Sequence, residues 1–92
     1  MSKIEVMASG RLALVLSDKV NWEEFPTFAQ STASRIGAEI WKKSDAPDMR
    51  IWSMRRNGIM VRLVWEDYPF AISLEATDSG GDEEIKKLAK VL

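Results

Sequence analysis

The pair Asn57-Gly58 separates two runs, MRIWSMRR (49–56) and IMVRLVWE (59–66), in which apolar and polar residues alternate. A type I′ turn needs a positive φ at both central residues, which asparagine and glycine tolerate well. The sequence therefore predicts a β-hairpin with a two-residue turn, in which residue 56 pairs with residue 59. The resulting cross-strand pairs are Arg50–Trp65, Trp52–Leu63 and Met54–Val61.

A further hairpin is predicted from WEDYPFAISLE (65–75). The acids, tyrosine and proline of 66–69 are typical of a turn, so we interpret them as a four-residue loop rather than a site. The resulting pairs are Trp65–Phe70, Leu63–Ile72 and Val61–Leu74. These side chains lie on the same side of the sheet as Trp52, so two separate turns predict one apolar core face.

An N-terminal hairpin is predicted around Ser9-Gly10, between the alternating runs KIEVMA (3–8) and RLALVL (11–16). Two registers are open. A two-residue turn places Ile4 and Val6 beside Ala13 and Val15, whereas a three-residue loop aligns them with the leucines of 12–16. We favour the three-residue loop because it gives the more apolar face, and a slip of one residue turns every side chain over.

The first helix is predicted from its end signals. Asn21 is the expected N-cap, with Glu24 as its capping-box partner. Because Pro26 is unfavourable beyond the first turn, the regular helix is expected to begin near Phe25. Gly37 suits the left-handed position that ends a helix.

Three further segments complete the chain. A short strand is predicted at 38–43, and SDAPD (44–48) is predicted to be a loop. The last helix is expected at 82–92, with Asp82 as N-cap, acids in the first turn and lysines near the end. The preceding DSGG (78–81) is interpreted as a flexible connection.

Together these elements predict an α+β fold with the order β-β-α-β-β-β-β-α. The sheet is expected to be mainly antiparallel, with about five to six strands and both helices on one face. Because 92 residues are enough for one core, residues 1–92 are predicted to form a single domain. The core-facing residues of the sheet are expected to be Trp52, Val61, Leu63, Trp65, Ile72 and Leu74.

The composition argues against several functions. The chain has no Cys and no His, which excludes thiolate catalysis and removes the commonest general base and transition-metal ligand. We therefore expect no enzyme, no catalytic residue, no cofactor and no metal site. A cysteine-free chain suits a reducing cytoplasm, and its longest apolar run, LALVL (12–16), is far shorter than the ~20 residues that span a bilayer. We expect a cytoplasmic protein without a membrane segment.

The order of several aromatic and turn motifs between residues 20 and 92 is that of a known family. They are Trp22-x-x-Phe25-Pro26-x-Phe28-Ala29, Trp52, Glu66-x-Tyr68 and Ile72-x-Leu74-Glu75. In this the chain resembles a small bacterial family of about 90 residues that is catalogued only as a domain of unknown function. The resemblance implies a bacterial, cytoplasmic protein, and it supplies no catalytic residues.

Two acidic groups could in principle carry chemistry. The acids of 78–84 lack the ligand spacing of a calcium loop, so we interpret them as a solvated helix cap. Glu66 and Asp67, with Glu75, could act as acid and base. The sequence indicates neither a substrate pocket nor a raised pKa for them.

The middle of the chain is basic, although the net charge is −1. With Trp41 beside them, its cations could follow a phosphate backbone while the ring stacks on a base. The stripe is short, and Arg50 is expected to lie over Trp65 as a cation–π pair. We therefore treat weak nucleic-acid binding as the alternative function. The basic residues are Lys42, Lys43, Arg50, Arg55, Arg56 and Arg62.

The sheet face opposite the core is the candidate interaction surface. The predicted registers give two rows, Ser53–Arg62–Ser73 and Ile51–Val64–Ala71. If strand 38–43 pairs with 49–54, Trp41 lies beside Ile51. An aromatic anchor with a charged rim is typical of a contact patch. We therefore predict a small non-catalytic interaction or regulatory module that binds a protein partner or a second copy. The candidate residues are Trp41, Ile51, Arg55, Arg62 and Val64.

Overall fold

The computed structural model describes residues 3–67 and 71–92. They form one six-stranded antiparallel sheet, in the order β1-β2-β6-β5-β4-β3, and two helices. The α+β fold and the predicted order of elements are confirmed. The elements are β1 (Lys3–Val6), β2 (Leu12–Ser17), α1 (Phe25–Ile36), β3 (Glu39–Ala46), β4 (Met49–Arg56), β5 (Ile59–Glu66), β6 (Ala71–Ala76) and α2 (Ser79–Leu88).

The central hairpin, β4 with β5, has the predicted register. Asn57 and Gly58 have φ angles of 54° and 76°, as a type I′ turn requires. Arg56 pairs with Ile59, and the other predicted pairs follow from it along the whole length of both strands.

The N-terminal hairpin adopts the register that we favoured. Ile4 pairs with Leu14 and Val6 with Leu12. The three-residue loop ends at Gly10, whose φ of 89° needs a residue without a side chain.

The register between β5 and β6 differs from the prediction by two residues. Trp65 pairs with Ile72, and Leu63 pairs with Leu74. The predicted loop at 66–69 therefore begins too early, because Glu66 is still part of β5 and pairs with Ala71. A shift of two residues keeps every side chain on its predicted face, so the prediction of which residues face the core remains correct. Tyr68, Pro69 and Phe70 lie outside the described residues.

The strand after α1 is longer than predicted. β3 continues through the segment 44–46, which we had interpreted as loop, and Ala46 pairs with Met49. Only Pro47 and Asp48 remain between the strands. Proline lacks an N–H for a strand ladder but fits a turn, so Pro47 marks the turn itself rather than the centre of a longer loop.

The Asn21–Glu24 pair and the Gly37 end of α1 form as predicted, but the N-cap of the helix is Glu24 rather than Asn21. The Asn21 side chain accepts from the Glu24 N–H at 2.9 Å, and the Glu24 carboxylate accepts from the Asn21 N–H at 3.0 Å. This capping box orders a turn before the regular helix, which begins at Phe25. At the other end, Gly37 has a φ of 68° and the Ala38 N–H donates to the Ala33 carbonyl, which closes the helix.

The second helix begins earlier than predicted, and Asp82 is not its cap. Asp78 is the N-cap and accepts from the Gly81 N–H at 2.7 Å. The glycines that suggested a flexible connection lie in the first turn. A Cβ at Gly81 would lie 3.0 Å from the Ala76 Cβ, so glycine allows the helix to approach β6. Asp82 instead accepts from the Leu12 N–H at 2.8 Å and pairs with Arg11, which ties α2 to β2.

Both helices pack on the same face of the sheet, as predicted. α1 contributes Phe25, Ala29 and Ile36 to the core, and α2 contributes Ile85 and Leu88. All six sheet residues that we expected in the core are buried: Trp52, Val61, Leu63, Trp65, Ile72 and Leu74.

A buried arginine lies at the α1 end of this core. The Arg50 guanidinium donates to both carboxylate oxygens of Asp45, at 2.9 and 3.0 Å, and to the Trp22 carbonyl at 2.9 Å. It lies 4.2 Å from the centre of the Trp22 ring, with Phe25 and Trp52 slightly farther away. Trp65, the stacking partner suggested by the sequence, lies opposite Arg50 across β4 and β5, and Arg50 also reaches the Trp22 ring in the segment before α1.

The hydrogen bonds from Arg50 lower the pKa of the Asp45 carboxyl below its ordinary value of 3.8, against the opposing effect of partial burial. The Trp52 Nε1–H adds a further hydrogen bond to the same carboxylate at 3.0 Å. Arg50 and Asp45 therefore join β3, β4 and the start of α1.

Candidate interaction surface

The outer face of the sheet, which neither helix covers, carries all five predicted surface residues. In β4 and β5, side chains alternate between the core and this face. Ile51 and Arg55 therefore point outward from β4, and Arg62 and Val64 point outward from β5. Val64 points to this face but is only 4% exposed, so this candidate is buried and not available as a contact residue.

Trp41 lies on the outer face, but not beside Ile51 as predicted. Ile51 pairs with Ser44, because the short turn at 47–48 changes the register of β3. A β-bulge between Ile40 and Lys42 leaves Trp41 without a directly opposite residue. No pattern in the sequence predicted this bulge.

The Trp41 side chain is 49% exposed and is held by two neighbours. Its Nε1 lies 2.9 Å from the Met60 sulfur, and the Arg55 guanidinium lies 5.4 Å from the ring centre. Arg55 and Met60 face each other across β4 and β5. We call Trp41, Lys42, Arg55 and Met60 the Trp41 patch. Met60 was missing from the sequence prediction, although the predicted hairpin already paired it with Arg55.

In both predicted cross-strand rows the residues from β4 and β5 are correct, but the residue from β6 is wrong. Arg62 faces Glu75 instead of Ser73, and Val64 faces Ser73 instead of Ala71. The shift of two residues in β6 thus creates an ion pair, in which Arg62 Nη2 lies 3.3 Å from Glu75 Oε1.

A shallow groove of about 330 Å³ lies on the outer face beside this ion pair. Its acidic lining residues are Glu5, Glu66 and Glu75, and its apolar floor includes Val15 and Ala13. Burial raises the pKa of the Glu75 carboxyl above its ordinary value of 4.5, and the Glu66 charge raises it further, against the opposing effect of Arg62. The structure therefore supplies the pocket and the raised pKa that the sequence did not indicate.

We expect Glu75→Gln to gain stability relative to the wild type as the pH rises. Because the pKa of Glu75 is raised above 4.5 in the folded chain, its carboxyl stays protonated to a higher pH there than in the unfolded chain. Wild-type stability therefore falls as the pH rises from the unfolded pKa through the folded one, and glutamine removes this loss. Denaturant unfolding from about pH 4 to about pH 7 measures the difference. A Ser73→Ala control, without a titrating group, should show a constant difference, and a constant difference for Glu75→Gln would contradict the assignment.

Most cations of the basic middle have intramolecular partners. Arg56 donates to the Ile36 carbonyl at 2.8 Å and to the buried carboxylate of Glu84, which joins the two helices. Lys43 lies over the Trp52 ring, with its Nζ 4.4 Å from the ring centre. With Arg50 bound to Asp45 and Arg62 bound to Glu75, the exposed cations beside Trp41 on the outer face are Lys42 and Arg55.

Within residues 3–67 and 71–92, no three acidic side chains are grouped so that they could hold a metal ion. None of the helices in the described part of the chain is long and apolar enough to cross a membrane.

The family described as protein of unknown function (DUF3630) matches residues 2–92. The chain belongs to this family. The match to DUF3630 confirms the resemblance to a family of unknown function and extends it from residue 20 to the N-terminal hairpin. No curated protein and no solved structure matches the chain. Membership of DUF3630 brings no activity with it, so a function must be argued from the surface itself.

Proposed function

We propose that the chain is a non-catalytic module that binds a protein partner through the Trp41 patch. The observation that carries the proposal is the exposed Trp41 ring, held in place by Arg55 and Met60 on a sheet face that no helix covers. A large exposed aromatic side chain is costly to leave in water and is the commonest kind of interface anchor.

The patch is suited to binding because its anchor is already oriented. A side chain that is held in its bound orientation loses little conformational entropy on association. Trp41 has contacts on two sides, with the Met60 sulfur and the Arg55 guanidinium, while almost half of its surface stays open.

The charges around Trp41 indicate the chemistry of the partner. Lys42 follows Trp41 in β3, the Arg55 guanidinium lies 5.4 Å from the centre of the ring, and both cations are exposed. Complementary charge at the rim of an interface favours the correct partner and speeds its association. We therefore propose a partner that presents an apolar pocket bordered by acidic residues. The cysteine-free composition supports a reducing compartment, so we place this binding in the cytoplasm of a bacterium, as the family resemblance implies.

The absence of His and Cys from the sequence supports a binding role over a catalytic one. Glu75 and Glu66 lie in the acidic groove near β6, whereas the Trp41 patch lies on β3, β4 and β5. The proposed anchor is thus separate from the carboxylates with acid–base potential.

Weak nucleic-acid binding is the alternative proposal, favoured by the stacking platform that Trp41 forms with Lys42 and Arg55. It needs several cations along one phosphate backbone. Four of the six basic residues considered for this role instead contact Asp45, Trp52, Glu84 or Glu75. This distribution supports a protein partner over a nucleic acid.

We expect Trp41→Glu to abolish partner binding and to leave folding nearly unchanged. The substitution places a negative charge where the anchor ring enters an acidic partner, and it changes no residue of the buried core. The measurement is affinity capture from the source cell by the wild-type and variant chains, with and without nuclease. Val91→Glu is the matched control, because Val91 is a similarly exposed apolar residue at 57% but lies outside the patch.

The proposal predicts a protein that is captured by the wild type and by Val91→Glu, but not by Trp41→Glu, with nuclease present. Equal capture by all three chains would contradict the role of Trp41. Capture that disappears with nuclease would favour the nucleic-acid alternative.

A further inference from the structure

The two edge strands of the sheet differ in their protection against pairing with another chain. β3 carries the bulge at Trp41 and two lysines, Lys42 and Lys43, which are features that natural edge strands use to prevent such pairing. β1 is short and carries Lys3, two features that also discourage pairing, but it joins β2 without a bulge and all four of its residues are exposed. Two of them are apolar, Ile4 at 40% and Val6 at 72% exposed. Among residues 3–67 and 71–92 no strand pairs with the outer side of β1, so β1 is the less protected edge and can accept a further strand.

The backbone direction in β1 identifies the groups available to that strand. The Met7 N–H donates to the Arg11 carbonyl at 2.9 Å, so residue 7 points its backbone groups toward the β2 side. Backbone groups alternate between the two sides of a strand. Lys3 and Glu5 therefore point theirs toward β2, whereas Ile4 and Val6 point theirs toward the open edge.

We propose that β1 pairs antiparallel with β1 of a second copy of this chain, around a two-fold axis at Ile4. The Ile4 residues of the two copies then exchange both backbone hydrogen bonds. The two sheets become one continuous sheet with all helices on the same side, and the outer face with the Trp41 patch stays open.

Charge complementarity decides both the partner and the register. Within one chain Lys3 and Glu5 form an exposed ion pair, with Nζ 3.6 Å from Oε2. With the axis at Ile4, Lys3 of each copy also lies opposite Glu5 of the other. These positions are not hydrogen-bonded, so their side chains are the closer pairs across the strands. An axis at Glu5 would place two carboxylates opposite each other, which is unfavourable. β1 is thus complementary to itself in one register, and a second copy is the occupant that the strand fits.

The strand is short, so we expect a dimer that forms at high micromolar protein concentration and dissociates on dilution. Sedimentation velocity over a concentration series measures it. A wild-type chain that stays monomeric throughout the series would overturn the proposal.

Charge reversal tests the register. Lys3→Glu and Glu5→Lys each place like charges opposite each other at two sites, and each variant alone is expected to dimerise at least about tenfold more weakly. An equal mixture of the two variants restores opposite charges at both sites, so it is expected to dimerise like the wild type. Each variant also removes the ion pair within the chain, but both side chains are largely exposed, so thermal unfolding should change little. A mixture that dimerises no better than the single variants would contradict the register.

Single cysteines provide a second test, because the natural chain has none. Ile4→Cys places two thiols at the two-fold axis and is expected to form a disulfide-linked dimer under mild oxidation. Val6→Cys is the control. It is the more exposed position, but its two copies lie four residues apart along the paired strands, about 13 Å. Equal or faster cross-linking of Val6→Cys would show random collision or another register, and it would overturn the proposal.

This association is independent of the proposed function. Trp41 is at the opposite edge of the sheet from β1. Trp41→Glu should therefore dimerise like the wild type, and loss of the dimer in this variant would assign the association to the Trp41 patch instead of β1.

Discussion

Trp52→Ala and Leu63→Ala are each expected to lower the free energy of unfolding by about 2–5 kcal/mol. The two residues face each other across β4 and β5 and are 3% and 0% exposed. Each substitution removes apolar contacts from the centre of the core and leaves a cavity that the surrounding side chains fill only in part. Denaturant unfolding of the purified variants measures the change.

The control for this prediction is Ser53→Ala, because Ser53 neighbours Trp52 in β4 but points to the outer face. We expect a change below about 0.5 kcal/mol for it, as for most substitutions outside the core. If Trp52→Ala and Leu63→Ala were equally mild, the helices would have to cover the other face of the sheet.

Arg50→Leu is expected to cost about 2–4 kcal/mol, since it removes charge-assisted hydrogen bonds and leaves polar partners unpaired. The guanidinium binds the Asp45 carboxylate and the Trp22 carbonyl and lies against the Trp22 ring. Leucine fills part of the space but replaces none of these interactions. A loss below about 0.5 kcal/mol would mean that the arginine contributes little beyond packing.

Asp45→Asn tests the same pair through its pH dependence. The pKa of Asp45 is lowered below 3.8, so its contribution to stability is present above that pH and is lost as the pH falls through the folded-state value. Asparagine lacks this titration. We expect the variant to be less stable than the wild type at neutral pH, and the difference to shrink below about pH 4.

Features that depend on neighbouring residues were predictable from the sequence. Asn57-Gly58 determines its own turn, and that turn sets the register of both strands beside it. Asn21 and Glu24 form a capping box because both partners lie within one turn. The faces of β4 and β5 follow from simple alternation, so the four candidate surface residues on these strands were placed on the correct side.

The errors share a different physical origin. Alternation repeats every two residues, so the pattern could not distinguish Trp65 opposite residue 70 from Trp65 opposite Ile72. Gly80 and Gly81 have low helix propensity, yet packing against β6 favours a helix there. The bulge at Trp41 and the contacts of Arg50 with Trp22 depend on segments far apart in the chain, so the immediate surroundings of Trp41 could not be predicted. Arg62–Glu75 was missed because it depends on the β6 register.

The most direct test of the proposed function is photo-cross-linking in the source cell from position 44. Ser44 lies on β3 near the Trp41 patch and faces Ile51, so a photoreactive residue there samples the outer face and leaves Trp41 in place. The same residue at Val91 is the control. The proposal predicts a covalent adduct with a different protein from position 44, which is absent from position 91 and is lost when Trp41→Glu is added. Adducts that form equally from both positions, or that persist with Trp41→Glu, would contradict the proposal.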